Sequence, residues 1–176
     1  ISGNWSQIGQ DIDGEVGDHS GYSVSLSSDG NTVVIGSPYS DYYSGHVRLY
    51  ENIGGAWSQI GQDIDGEVAG DRSGYSVSLS ADGNTVAIGA TYNAGNGVES
   101  GHVRIYQNIG NVWSQIGSDI DGESAGDQSG YSVFLSDSGN TLAIGAPYND
   151  GDSLTGAGHV RIYENIGGTW SQIGLD

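Results

Sequence analysis

The 176-residue chain contains no cysteine, no methionine and no lysine, and only two prolines and one phenylalanine. Without cysteine there is no disulfide framework, and the redox compartment leaves no mark on the sequence. Positive charge is scarce. Arg48, Arg72, Arg104 and Arg161 face 22 acidic side chains, for a formal charge of −18. That charge repels phosphate backbones and anionic lipid, so nucleic acid is excluded as a partner. It favours solubility and attracts cations. No stretch approaches the ~20 apolar residues of a membrane span, so membrane insertion is not expected. No secretory leader is visible either. The first residue is Ile1 rather than Met, which suggests a processed product or a piece of a longer polypeptide.

Glycine, by contrast, is abundant, with 32 residues. They recur at fixed places, which points to turns rather than disorder. The phrase WSQIG begins at Trp5, Trp57, Trp113 and Trp170, in steps of 52, 56 and 57 residues. Between these marks the order is constant: DIDGE, then GD-x-SGYSV, then GNT with an aliphatic run ending in IG, then GHVR(I/L)Y-x-NIG. A period of this kind signals a repeat architecture.

Each unit reads as four short strands. Tyr75, Val77 and Leu79 alternate with Ser76, Ser78 and Ser80, the two-residue period of a strand. Asp82-Gly83 is a tight hairpin signal. Val86 and Ile88 alternate with small Ala87 and Gly89, HVRIY makes a third strand, and Trp113 to Ile116 a fourth. No helical period survives anywhere, so the fold is all-β. Four antiparallel strands in somewhat over 50 residues describe a propeller blade, which needs neighbours to bury its faces. The expected divisions are residues 1–17, an outer strand of a preceding blade with its acidic loop; 18–66, blade 1; 67–122, blade 2; and 123–176, blade 3.

The chain resembles the FG-GAP repeats of integrin α-subunit propellers and their bacterial relatives. Gly21-Tyr22, Gly74-Tyr75 and Gly130-Tyr131 stand where that family has Phe-Gly and an aromatic or small residue. Gly36-Ser37-Pro38, Gly89-Ala90-Thr91 and Gly145-Ala146-Pro147 stand at its Gly-Ala-Pro, and GHVR(I/L)Y is similar to the strand that follows. The resemblance implies a β-propeller and a binding or scaffolding role. Three blades are too few to close the usual ring of about 4–8. The expectation is therefore further blades, from a longer chain or from copies of this one joined in a ring or filament.

Four acids recur before each blade. They are Asp11, Asp13, Glu15 and Asp18; Asp63, Asp65, Glu67 and Asp71; and Asp119, Asp121, Glu123 and Asp127. One reading is a bound Ca²⁺, a hard ion wanting about 6–8 oxygens and the one candidate cofactor. The other is turn chemistry, with Asp and Ser side chains bonding nearby backbone N–H groups. The calcium loop that the resemblance implies lies between first and second strands. Here it has shrunk to Ser28-Asp29-Gly30-Asn31 and its two counterparts, too short to wrap an ion. A looser polar stretch, 148–152, occurs once.

His46, His102 and His159 fall in different blades and so are not expected to share an ion. Arg48, Arg104 and Arg161 are expected to pair with carboxylates. Trp5, Trp57, Trp113 and Trp170 are expected to pack between blades, with sugar stacking the competing role. The loops between second and third strands vary most. Their Tyr39, Tyr42, Tyr43, Tyr92 and Tyr148 are the candidate contacts for a protein or glycan partner. No Ser/His/Asp arrangement, phosphate loop or singular acid pair interrupts the repeat, so an enzyme is not expected. The sequence favours a structural or adhesive module outside the cell. A carbohydrate-binding propeller is the alternative.

Overall fold

The computed structural model describes residues 3–151 and 156–174. Three antiparallel sheets follow one another along the chain. The first holds β1 (Ser23–Leu26), β2 (Thr32–Ser37), β3 (His46–Ile53) and β4 (Ala56–Gln59), paired in that order. Between β2 and β3 a single turn, α1 (Ser40–Tyr43), carries Asp41, Tyr42 and Tyr43 at φ of 46°, 58° and 66°. The short β5 (Ile64–Asp65) adds to the same sheet, pairing with His46 and Val47 of β3.

The second sheet repeats the plan with β6 (Ser73–Leu79), β7 (Thr85–Ala90), β8 (His102–Asn108), β9 (Trp113–Gln115) and β10 (Ile120–Asp121). The third comprises β11 (Ser132–Leu135), β12 (Thr141–Ala146), β13 (His159–Ile166) and β14 (Thr169–Ile173). These are three propeller blades. Among the described residues no helix is long and apolar enough to cross a membrane.

Two details depart from the sequence expectation. Ile64-Asp65 and Ile120-Asp121, read as loop, are strand, because Ile64 and Ile120 bury their side chains to 4% and 7% exposure against the blade. Conversely, residues 3–8 form no strand, although they repeat the WSQI words of β4. The reason is pairing. β4 and β9 each bond only to the third strand of their own blade, and residues 3–8 have no such strand beside them.

Alternation along each strand gives every blade two apolar faces, and those that meet at the two junctions between blades cover one another. Val34, Val47 and Leu49 of blade 1 pack on Val77, Leu79, Val86 and Ile88 of blade 2. Ala87, Val103 and Ile105 then pack on Leu135, Leu142 and Ile144 of blade 3. The small residues set the approach distance. A Cβ on Gly36 would lie 2.2 Å from the carbonyl oxygen of Gly74, and one on Gly89 would lie 2.2 Å from that of Gly130. Polar fasteners bridge the same gap. Ser23 Oγ donates to Gly74 O and Ser76 Oγ to Gly130 O, both at 2.7 Å. The backbone N–H groups of Leu79 and Leu135 donate to Ser25 Oγ and Ser78 Oγ at 3.1 and 2.9 Å.

Candidate functional site

The acidic segments converge with the third-strand His-Val-Arg at the junction between successive blades. Within a segment the four acids take separate jobs. The first is held by the glutamine of WSQIG: Gln7, Gln59 and Gln115 donate to Asp11, Asp63 and Asp119 at 2.8, 2.7 and 2.6 Å. The second, in Asp65 and Asp121, lies on a strand and gives its backbone carbonyl to Arg104 and Arg161 at 2.8 and 2.7 Å. Its counterpart Asp13 is exposed. The glutamates meet the arginines: Glu15–Arg48 at 2.9 Å, Glu67–Arg104 at 3.5 Å and Glu123–Arg161 at 3.8 Å. The fourth acid is buried. Asp18, Asp71 and Asp127 accept the backbone N–H of Glu15, Val68 and Ser124, which closes the turn.

None of the three four-acid segments gathers its own carboxylates around a common point. Among the described residues, the groups that do converge combine acids from different segments with a histidine: Asp41, His46 and Asp65, and Glu67, His102 and Asp119. Within each group the ligand atoms lie within 4.8 Å of one another. Sequence reasoning separated the histidines by blade but missed the carboxylates each one meets. Strand register brings them there, since β3 places His46 opposite Asp65. Burial, reinforced by Arg104, lowers the pKa of His102, which favours the neutral ring.

The short hairpins that stand where the related calcium loop would be are closed by their own side chains. Asp29 accepts from Ser27 Oγ at 2.6 Å and from the backbone and side-chain nitrogens of Asn31 at 2.9 Å each. These donors hold its pKa at about 2. Asp82 repeats the arrangement with Ser80 and Asn84, and in blade 3 Ser138 takes the place of the aspartate.

The tyrosines divide. Tyr22, Tyr75 and Tyr131 of the three GYSV words form a ladder, with ring centroids 5.0 and 5.1 Å apart. Burial, with the Tyr131 and Tyr22 hydroxyls, raises the pKa of Tyr75. Tyr39 joins the end of this ladder, 5.7 Å from Tyr22, 4.8 Å from the His19 ring and 5.8 Å from Tyr43. Arg72 lies over Tyr92 at 3.8 Å and near Tyr39 at 5.4 Å, within cation–π range. Tyr148 lies at the other end, 6.3 Å from Tyr131, and Tyr42 projects into solvent. The ladder was readable in principle, because its three tyrosines recur at one position of the repeat. Of the polar stretch 148–152, Asp152 lies outside the described residues.

Trp57 and Trp113 each reach back to the preceding WSQIG, donating indole N–H to Ile8 O and Ile60 O at 3.0 Å. Trp170 lies over Gly117 in the same way, but its buried N–H finds no acceptor. Trp5 is fully exposed.

Sheets of this plan, stacked face to face with these junctions, define a repeat protein of the β-propeller class. The family described as FG-GAP repeat matches residues 10–50 and 64–106, which makes these two segments FG-GAP repeats. No curated protein is significantly similar to the chain. Among solved structures, a candidate 6-phosphogluconolactonase of Bacteroides uniformis aligns over 86% of this chain at 13% identity, with a TM-score of 0.58. Hydrazine synthase of Kuenenia stuttgartiensis aligns over 87% at 19% identity, with a TM-score of 0.52. At such identities the likeness is one of fold. The chain spans 39% and 42% of those two longer proteins.

Proposed function

We propose that this chain is a non-enzymatic repeat module, acting outside the cell by presenting surface as part of a longer row of blades. Those further blades come from the remainder of a longer polypeptide or from additional copies of the chain. One observation carries the reading: the two outermost faces expose residues whose repeat counterparts are core. Val24 and Leu26 are 62% and 59% exposed on one side, and on the other Val160, whose counterparts Val47 and Val103 are fully buried, is 63% exposed. Such open faces at both ends of a stack call for a covering layer. The recurring glutamates pair with arginines and the recurring fourth aspartates close turns, which suits scaffolding better than turnover. Sedimentation of the folded 176-residue chain across a concentration series tests this. The expected result is species larger than monomer, and a stable, folded monomer at high concentration would refute it.

A second reading, a carbohydrate-binding module, is favoured by the aromatic cluster of Tyr22, Tyr39, Tyr43 and Tyr92 around Arg72. Aromatic faces beside polar groups stack on sugar rings. A glycan array should then show binding that Tyr39→Ala abolishes. An array without signal removes this reading and leaves the first untouched.

A further inference from the structure

Blade 1 breaks the repeat at one buried contact. In blades 2 and 3 the buried aspartate accepts an amide from the variable loop: Asn93 Nδ2 reaches Asp71 and Asn149 Nδ2 reaches Asp127, both at 3.0 Å. Blade 1 has Ser40 there instead, and its hydroxyl donates to Ser37 O at 3.0 Å. Asp18, 7% exposed, therefore lacks the amide its counterparts have. Facing it is His46, 4% exposed, whose buried Nε2 has no hydrogen-bond partner among the described residues and lies 3.9 Å from Asp18 Oδ2. An unsatisfied ring nitrogen at that depth is unfavourable unless something fills the gap.

Two more carboxylates close on the same ring. Asp41, from the variable turn, and Asp65, from β5, offer oxygens within 4.8 Å of each other and of a His46 ring nitrogen. Both aspartates are exposed, so the place is open to solvent. The nearby guanidinium groups are committed elsewhere. Arg48 bridges Glu15 and Asp63 at 2.9 Å each, while Arg104 holds Glu67 and the Asp65 carbonyl. The comparable group around His102 differs, because Arg104 is 3.5 Å from its Glu67 and already supplies a positive charge.

We propose that Asp41, His46 and Asp65, with the Asp18 carboxylate 3.9 Å from His46 Nε2, form a binding site for one divalent ion of the zinc type. The donor set selects the metal class. An imidazole nitrogen among carboxylates suits zinc, whereas calcium and magnesium prefer oxygen alone. The position of Asp41 is Ala94 in blade 2 and Asp150 in blade 3, where the carboxylate accepts the Gly156 N–H at 2.9 Å, so the three-residue group is particular to blade 1.

The test is titration of Zn²⁺ into the intact chain, followed by calorimetry and by thermal unfolding. One ion per chain should bind and raise the melting temperature, and an equal concentration of Ca²⁺ should not displace it. Asp41→Asn, in an exposed turn, should weaken binding by about tenfold or more, the scale of losing a well-placed metal partner. His46→Gln should do the same and remove the nitrogen signature from the absorption spectrum of the Co²⁺ form. Should His46→Gln fail to fold, Asp41→Asn decides. Absence of heat and of any melting shift would overturn the site. So would undiminished Zn²⁺ affinity in the folded variants, or displacement by equal Ca²⁺.

Discussion

The middle blade and the two beside it are written in nearly the same words but live in different surroundings. Val77 and Leu79 are 9% and 6% exposed between sheets, whereas Val24 and Leu26, at the same repeat positions, are 62% and 59% exposed. Val103 is fully buried while Val160 is 63% exposed. Burial here is a property of place in the row, not of residue type. The stability of such an array is a sum of blade terms and interface terms, so one side chain carries different weight at different places. The outer face of blade 3 adds a twist. Ser25 and Ser78 accept a backbone N–H from the next blade, but the same position in blade 3 is Phe134, the only phenylalanine. Whatever covers that face meets an aromatic ring instead of a hydroxyl.

The largest break in this comparison should come from glycine. In Gly89→Ala the new methyl meets the backbone oxygen of Gly130 at 2.2 Å and Ser76 Oγ at 2.4 Å. Relief requires the blades to part, and a loss of about 3 kcal/mol or more is expected in urea unfolding. Gly145→Ala meets only the Ser132 hydroxyl at 2.4 Å, which can rotate away, so about 1 kcal/mol or less is expected. Equal losses would show that blade 3 is covered in solution. Leu79→Ala should follow, at about 2–5 kcal/mol, against about 1 kcal/mol or less for Leu26→Ala. If copies stack on blade 1, the Leu26 cost should grow with protein concentration, and a concentration-independent value counts against self-stacking. Ser78→Ala comes next. It strips the acceptor from the buried Leu135 N–H, for about 1–2 kcal/mol in the same assay.

The blades themselves were legible because hairpin glycines and two-residue alternation are local, and both recur three times. The register of the sheets matches those words. Val77 to Ser80 pairs across the Asp82-Gly83 turn with the aliphatic run, as the alternation predicts. The site was less legible, since it depends on contacts between segments some 20 to 50 residues apart. Asp65 reaches His46 only because β5 docks on β3, a pairing of two residues that the polar DIDGE word conceals, while Asp41 comes from the α1 turn just before β3. Three acids at alternate positions look like a chelating loop. In the folded chain the second segment turns its first carboxylate to a glutamine and its third to an arginine, while the middle one, Asp65, meets His46 and Asp41. The substitution of Ser40 for asparagine was visible in the sequence, but its meaning was not. Only the structure shows that the asparagines at that position satisfy a buried carboxylate.

The smallest expected effect concerns the hairpins, where blades 1 and 2 have aspartate and blade 3 has Ser138. In blade 3 the Ser138 hydroxyl meets Ser136 Oγ at 3.2 Å and the Asn140 N–H at 3.3 Å, weaker contacts than Asp29 makes. Ser138→Asp should install the charged acceptor of the other blades and raise the melting temperature slightly near neutrality. Its sign with pH follows from Asp29, whose folded pKa of about 2 lies below the ordinary carboxyl value of 3.8. A carboxyl depressed in this way stabilises the fold above its unfolded pKa, and the benefit fades as pH falls from 3.8 toward about 2. The difference in melting temperature between variant and parent should therefore shrink across that window. A difference that stays constant with pH would mean the carboxylate charge is not the source. A lower melting temperature near neutrality would mean that one more negative charge on a chain of −18 outweighs the local bonds.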